Sequence, residues 1–252
     1  MSTENKLEKI RCLSGSTLKI AACLFMFIDH MTAMIRHRFG GPIATLDYRT
    51  IRRFNFFYKL GRGVGRLAFP IFCFLLVEGF RHTRNPKRYL TLLIIGALIS
   101  EHAFNLLHSG QNFDGDAQNV MFTLAISLVV IAAIKLLKET PGLSNALLSV
   151  GIMAAIGAGA ITAWLLKTDY SYKGVFSIAL IYLLSYDRLL SCLGGAISFA
   201  WENWAPAAFI PLLLYNGKRG LKIKYFFYLF YPLHIYLIYY VVYFILPKTF
   251  GV

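Results

Sequence analysis

A chain of 252 residues that is 57% hydrophobic and only 15% charged is too apolar for a soluble domain, in which about a quarter of the side chains carry charge. Its mean hydropathy of +0.58 describes a membrane protein. The net charge of +14 does not argue for nucleic acid, because Lys and Arg beside membrane helices follow from the positive-inside bias.

The first apolar run, from Leu18 to Ile35, reads LKIAACLFMFIDHMTAMI and is long enough to cross a bilayer. The segment through Leu13 is polar, and the run is too long for a signal-peptide core, so Leu18 onward reads as a retained first helix. Asp29 and His30 lie within it. An ionisable group at membrane depth costs at least about 2.5 to 3.5 kcal/mol, which makes the pair a candidate functional site facing protein or water. Lys19 and His30 are nearly three helical turns apart on one face, about 16 Å along the axis, with Cys23 and Met26 between them. Asp29 points about 100° away from His30 and is not positioned to orient it directly.

Nine crossings are predicted, at about 18–36, 66–81, 89–107, 119–138, 143–166, 173–186, 189–201, 204–216 and 225–247: an all-α, polytopic bundle with a cytoplasmic N-terminus. That orientation puts more than half of the 26 Lys and Arg inside, including Lys6, Lys9, Arg11, Lys19, the 81–88 loop, Lys135, Lys138, Arg188 and the 216–224 loop. The stretch from Arg36 to Arg66 departs from it, interleaving arginines with Phe54, Phe56, Phe57 and Tyr58. It reads either as an amphipathic segment in the interface, at about 37–65, or as a lid that recognises an anionic substrate.

The second crossing has a short apolar core, with Glu78 one turn before His82 and able to pair with it or with Arg81. On the third, Glu101 and His102 lie about 18 Å from the helix start, the same depth as His30, and His234 on the last helix follows Pro232 about 14 Å in. These positions predict a shared polar layer on three helices, in which a carboxylate holds a histidine tautomer. The D-G-D of the 108–118 loop lacks the full calcium-loop pattern and reads as a turn. Gly151, Gly157 and Gly159 mark a small-residue face for close helix approach, a candidate homodimer surface. Cys12, Cys23, Cys73 and Cys192 show no ligand or disulfide spacing, so no metal is expected.

A basic mouth, a polar track on the first helix and a His/Glu layer suit an enzyme that takes a long, anionic activated donor and uses a histidine as base or acyl carrier. An O-acyltransferase of a glycan or lipid shares each feature, and a small proton-coupled transporter using Asp29, His30 and Glu101 is the alternative from another class.

The segments LKIAACLFMFIDH, RLAFPIFCFLLVEGFRHTRNPKRYL, LIIGALISE, QNVMFTL, IPLLLYNGKRG and KYFFYLFYPLHI resemble those of the TraX family, multi-pass proteins whose namesake acetylates the N-terminus of conjugative pilin. That family is distantly similar to membrane acyltransferases that use cytosolic acetyl-CoA and often carry Arg, ten residues, then His on the first helix. Here Lys19 stands in the Arg position, keeping the charge without its bidentate geometry. The resemblance implies a bacterial inner-membrane acetyltransferase with acetyl-CoA as donor and a peptide or pilin N-terminus as acceptor. His30 is then the catalytic position, with Asp29 and Glu101 beside it. The candidate donor contacts are Lys19, Arg66, Glu78, Arg81, His82, Arg84, Asn119, Lys218, Arg219, Tyr231 and His234.

Overall fold

A computed structural model describes residues 11–221 and 224–247, with backbone only at 224 and 225; Lys6, Lys9 and Lys222, counted above for orientation, lie outside the described residues. Within them the chain is helical, and its β-type pairing is confined to two isolated bridges, Leu13 with Tyr215 and Gln118 with Thr168. The helices are α1 (Gly15–Ile43), α2 (Tyr48–Gly65), α3 (Ala68–His82), α4 (Pro86–His108), α5 (Val120–Glu139), α6 (Asn145–Leu165), α7 (Ser171–Leu183), α8 (Arg188–Ser198), α9 (Phe209–Leu213) and α10 (Lys224–Tyr240), the last continued by a π turn at Val241–Ile245.

Six helices among the described residues are long and apolar enough to cross a membrane, with α2 and α3 counted as one 35-residue stretch. The nine predicted crossings are therefore corrected at 173–186, 189–201 and 204–216. There α7 has 13 residues and α8 has 11, about 20 and 16 Å against a hydrocarbon core of about 30 Å. Asp187 separates them by capping α8, its carboxylate accepting from the Leu190 amide at 2.7 Å. The third stretch breaks into a 3-10 turn at Ala205–Ala208 and the five-residue α9, with Pro206 and Pro211 each removing a backbone donor.

The chain divides into two compact units. One comprises residues up to 71, 102–113 and from 202 onward; the other comprises 72–101 and 114–201.

In the first unit α1 and α2 form an antiparallel hairpin. Ser14 caps α1, accepting from the Thr17 amide at 3.2 Å, and Asp47 caps α2, accepting from the Arg49 and Thr50 amides at 2.9 and 3.2 Å. The Thr50 hydroxyl and amide hold the Asp47 carboxyl below its ordinary range. Contacts down the hairpin keep one register. Arg36 donates to Asn55 at 3.1 Å and lies over the rings of Phe54 and Tyr58, Thr32 faces Gly61, and Asp29 faces Gly65. A Cβ on Gly61 would overlap Thr32, and one on Gly65 would overlap Asp29, so the two glycines set how closely the helices approach. Between them Arg62 Nη1 donates to Asp29 Oδ2 at 2.6 Å, with side-chain exposures of 26% and 14%.

The last helix runs alongside α1 in the same direction. Lys19 Nζ lies 5.4 Å from the Phe227 ring centre, His30 bonds His234, and His37 Nδ1 lies 3.0 Å from the Tyr243 hydroxyl. At the start of α1, Gly15 N donates to Lys218 O at 2.8 Å, Ser16 N to Arg219 O at 2.9 Å and Leu221 N to Ser16 Oγ at 3.0 Å. The loop before α10 is thereby fastened to the N-terminus of α1, and Gly217 and Gly220 make its two reversals at positive φ.

In the second unit, Val130 and Ile134 of α5, Ala163 of α6, and Val175 and Ala179 of α7 form an apolar core. Gly159 of α6 fits against Val130 and Val175, whereas a Cβ on Gly157 would meet nothing within 4 Å. Lys167, Tyr170 and Ser171 between α6 and α7 take positive φ, a strained run for residues other than glycine. It is held by Gln118 N donating to Lys167 O at 3.0 Å, Asp169 N to Gln118 O at 2.8 Å, and the Thr123 hydroxyl to Asp169 O.

Two outcomes follow from the packing. Gly65→Val overpacks the hairpin seam and lowers stability by about 1–3 kcal/mol, read as a depressed thermal midpoint in detergent, while Gly157→Ala, whose Cβ meets open space on α6, does not lower the midpoint. Asp29→Ala and Arg62→Ala each strand a mostly buried charge and cost about 3 kcal/mol or more, whereas the double variant loses less than the sum of the two; additive losses would show the pair to be uncoupled.

Candidate functional site

The chemistry of the first unit centres on two imidazoles. His30 Nδ1 lies 2.8 Å from His234 Nε2, with ring centroids 4.9 Å apart and planes within 14° of parallel. His234 Nδ1 in turn lies 2.8 Å from the Phe230 carbonyl oxygen. A carbonyl only accepts, so His234 Nδ1 carries the hydrogen and, in the neutral ring, Nε2 is an acceptor. His30 Nδ1 must then be the donor, which leaves the His30 Nε2 lone pair uncommitted to this chain of bonds. Two successive hydrogen bonds thus prepare a neutral base or nucleophile on α1.

Aromatic side chains fix the arrangement. Phe230 stacks on His234 at 4.7 Å, Tyr231 sets its ring edge against His30 at 6.2 Å, and Phe27 lies 6.4 Å from His234. His234 is only 3% exposed, whereas His30 is partly open. His234, read from sequence as a donor contact, is the group that orients His30. His234 occupies the place at His30 Nδ1 that sequence reading gave to a carboxylate, and Asp29, offset from His30 along α1, turns toward α2, where one oxygen takes Arg62 and the other lies against Gly65.

Lys19, Arg66, Lys218, Arg219 and Tyr231 belong to the same unit. On the face of α1 between Lys19 and His30, Ala22, Cys23 and Met26 are all buried. Arg66 Nε lies 3.5 Å from Glu202 Oε1, and the side chains of Lys218 and Arg219 are exposed around the backbone pairing at the start of α1. His102 Nδ1 lies 2.8 Å from the Tyr236 hydroxyl on α10.

The remaining predicted residues fall in the second unit. Asn119 caps α5, its Oδ1 accepting from the Met121 amide at 3.0 Å, and its Nδ2 donates to Glu101 Oε2 at 2.5 Å and to Ala97 O at 2.8 Å. Glu101 Oε1 is buried with no hydrogen-bond partner among the described residues. Glu78, 8% exposed, sits 3.2 Å from Arg81 Nη1 and 3.7 Å from His82 Nε2, while Arg84 is exposed. Glu78 is thus an anion among cations, the ion-pair alternative raised for it above.

Sequence reasoning missed Arg62 and Glu202. Its signal for Arg62 was present in Gly61-Arg62-Gly63-Val64-Gly65, where glycines one turn apart mark a close helix contact and the arginine lies between them; the basic run around it masked the pattern. Gly63, on another face, admits Trp204, whose ring atoms would lie 2.6 Å from a Cβ there. Glu202 carries no local sequence signal.

A family model described as "TraX protein" matches residues 14–242. A Dichelobacter nodosus protein described as "Probable fimbrial assembly protein FimC, serogroup H1" is 28% identical over 243 residues, covering 88% of this chain and 93% of its own length. No solved structure matches the chain. The match extends from the cap of α1 through His234 and past the end of α10, so both imidazoles lie inside it, and the chain belongs to the TraX family.

Proposed function

We propose that this membrane protein is a multi-pass acetyltransferase of the bacterial inner membrane that moves an acetyl group from cytosolic acetyl-CoA to an acceptor amine. The observation that carries the reading is the Phe230 carbonyl–His234–His30 relay, which presents an unprotonated Nε2. The family resemblance and the relative described as a fimbrial assembly protein favour the N-terminus of a pilin or fimbrial subunit as acceptor.

In this reading the acceptor nitrogen attacks the thioester carbonyl while His30 Nε2 takes its proton. A carbon–nitrogen bond forms, the tetrahedral intermediate collapses with loss of the carbon–sulfur bond, and the CoA thiolate leaves and takes the proton back from the imidazolium. His234 keeps the ring turned so that its lone pair meets the acceptor, and the Asp29–Arg62 bridge holds α1 and α2 in register around the preceding residue. The donor arm follows the α1 face between Lys19 and His30. Because Cys23 and Met26 are buried there, its entry requires α1 and α10 to separate locally.

Purified protein given labelled acetyl-CoA and a pilin-type peptide acylates the peptide amine, identified by mass spectrometry. His30→Ala lowers transfer by about 10²–10⁴-fold with expression intact. His234→Ala, which frees the His30 tautomer, lowers kcat by about tenfold or more with little change in KM for the donor. Undiminished transfer in His30→Ala removes that residue from the mechanism; label on a hydroxyl reassigns the acceptor class.

A further inference from the structure

Four cations from three helices of the second unit gather around one pair of aromatic rings. Arg81 of α3 places Nη1 3.2 Å from Glu78 Oε1 and 2.7 Å from Ser185 O. Arg188, at the start of α8, lies 4.0 Å from the other Glu78 oxygen and 5.3 Å from the centre of the Phe74 ring. Phe80 and Tyr182 meet edge to face at 5.7 Å, with Lys135 Nζ 5.9 Å from the first ring centre and Lys138 Nζ 5.8 Å from the second.

Glu78 and Glu139, the latter 3.8 Å from Lys135, offset two of these four charges, so the cluster keeps an excess of positive charge. Charges that only set membrane orientation have no reason to gather, since repulsion favours their spreading apart. Here two guanidinium groups are tethered by one carboxylate that is 8% exposed, and the bonds of Arg81 to Glu78 and Ser185 both use Nη1, leaving Nε and Nη2 clear of them. Planar donors held in place beside two ammonium groups form the set that recognises phosphate oxygens.

We propose that Arg81, Lys135, Lys138 and Arg188, around the Phe80–Tyr182 pair, form an organic-phosphate site, with Glu78 as its positioning residue. The phosphate is carried either by a soluble nucleotide or by an anionic lipid headgroup.

Full-length protein in neutral-lipid nanodiscs is titrated with adenosine 3′,5′-bisphosphate, a soluble nucleotide that carries two phosphates. Binding that weakens at least tenfold in K135Q/K138Q and in R81Q, but not in K167Q, supports the nucleotide source. Glu78→Gln then weakens binding although it removes a negative charge, the opposite of what net charge alone produces, and Glu78→Asp restores part of the loss. If the bisphosphate does not bind but wild-type protein retains phosphatidylglycerol in native mass spectrometry and K135Q/K138Q does not, the site stands and its occupant is lipid. Dependence of neither probe on these cations, in variants whose melting is unchanged, overturns the site. His30→Ala leaves binding intact, so failure of the transfer reaction and failure of this site are read separately.

Discussion

The functional geometry depends on one constraint: a polar group carried into a membrane must find its hydrogen-bond partner within the protein. The carbonyl of Phe230 satisfies His234, His234 satisfies His30 Nδ1, and the lone pair of His30 Nε2 falls at the end of the line. The direction of the relay comes from the chemistry of its first member, since a carbonyl has no hydrogen to give. A side chain able both to donate and to accept at that position would leave both tautomers of His30 accessible.

The neighbouring hairpin applies the same constraint to charge. Asp29 immediately precedes His30 on α1 and points to a different side of the helix, where its carboxylate would be costly without Arg62. Arg62 reaches it because Gly61 and Gly65 let α2 approach to backbone distance, with Asp29 and Thr32 filling the space that Cβ atoms would take. Helix approach, ion pair and histidine placement are therefore one problem: a larger residue at Gly65 moves α2 outward, lengthens the Arg62–Asp29 bond and frees the part of α1 from which His30 projects.

What could be read from sequence divides along physical lines. Apolar length and polar cost are local quantities, so the helical membrane character, the need of Asp29 and His30 for partners within the protein, and the pairing of Glu78 with Arg81 and His82 were legible. The crossings assigned to 173–216 were overcounted because hydropathy sees apolar content and not the caps and prolines that cut it; Asp187, Pro206 and Pro211 set those ends. Partners far apart in the chain were harder. Equal depth predicted that His30 could meet another ionisable group, but depth does not say which helix lies beside α1, and the neighbour is α10 with His234. Arg62 was hidden for another reason, as one arginine in a segment read for its overall basicity.

An imidazole rather than a carboxylate behind His30 is consistent with the charge balance of its surroundings. Asp29 is matched by Arg62, and Glu202 lies beside Arg66, so these two carboxylates of the first unit already have cations. A third carboxylate bonded to His30 would add a negative charge with no guanidinium assigned to it, in a medium where isolated charges cost several kcal/mol. Two neutral rings give the same control of tautomer without that burden, and charge then arises only while a proton is in transit. The arrangement trades the stronger electrostatic support of a carboxylate for a resting pair of rings that carries no net charge.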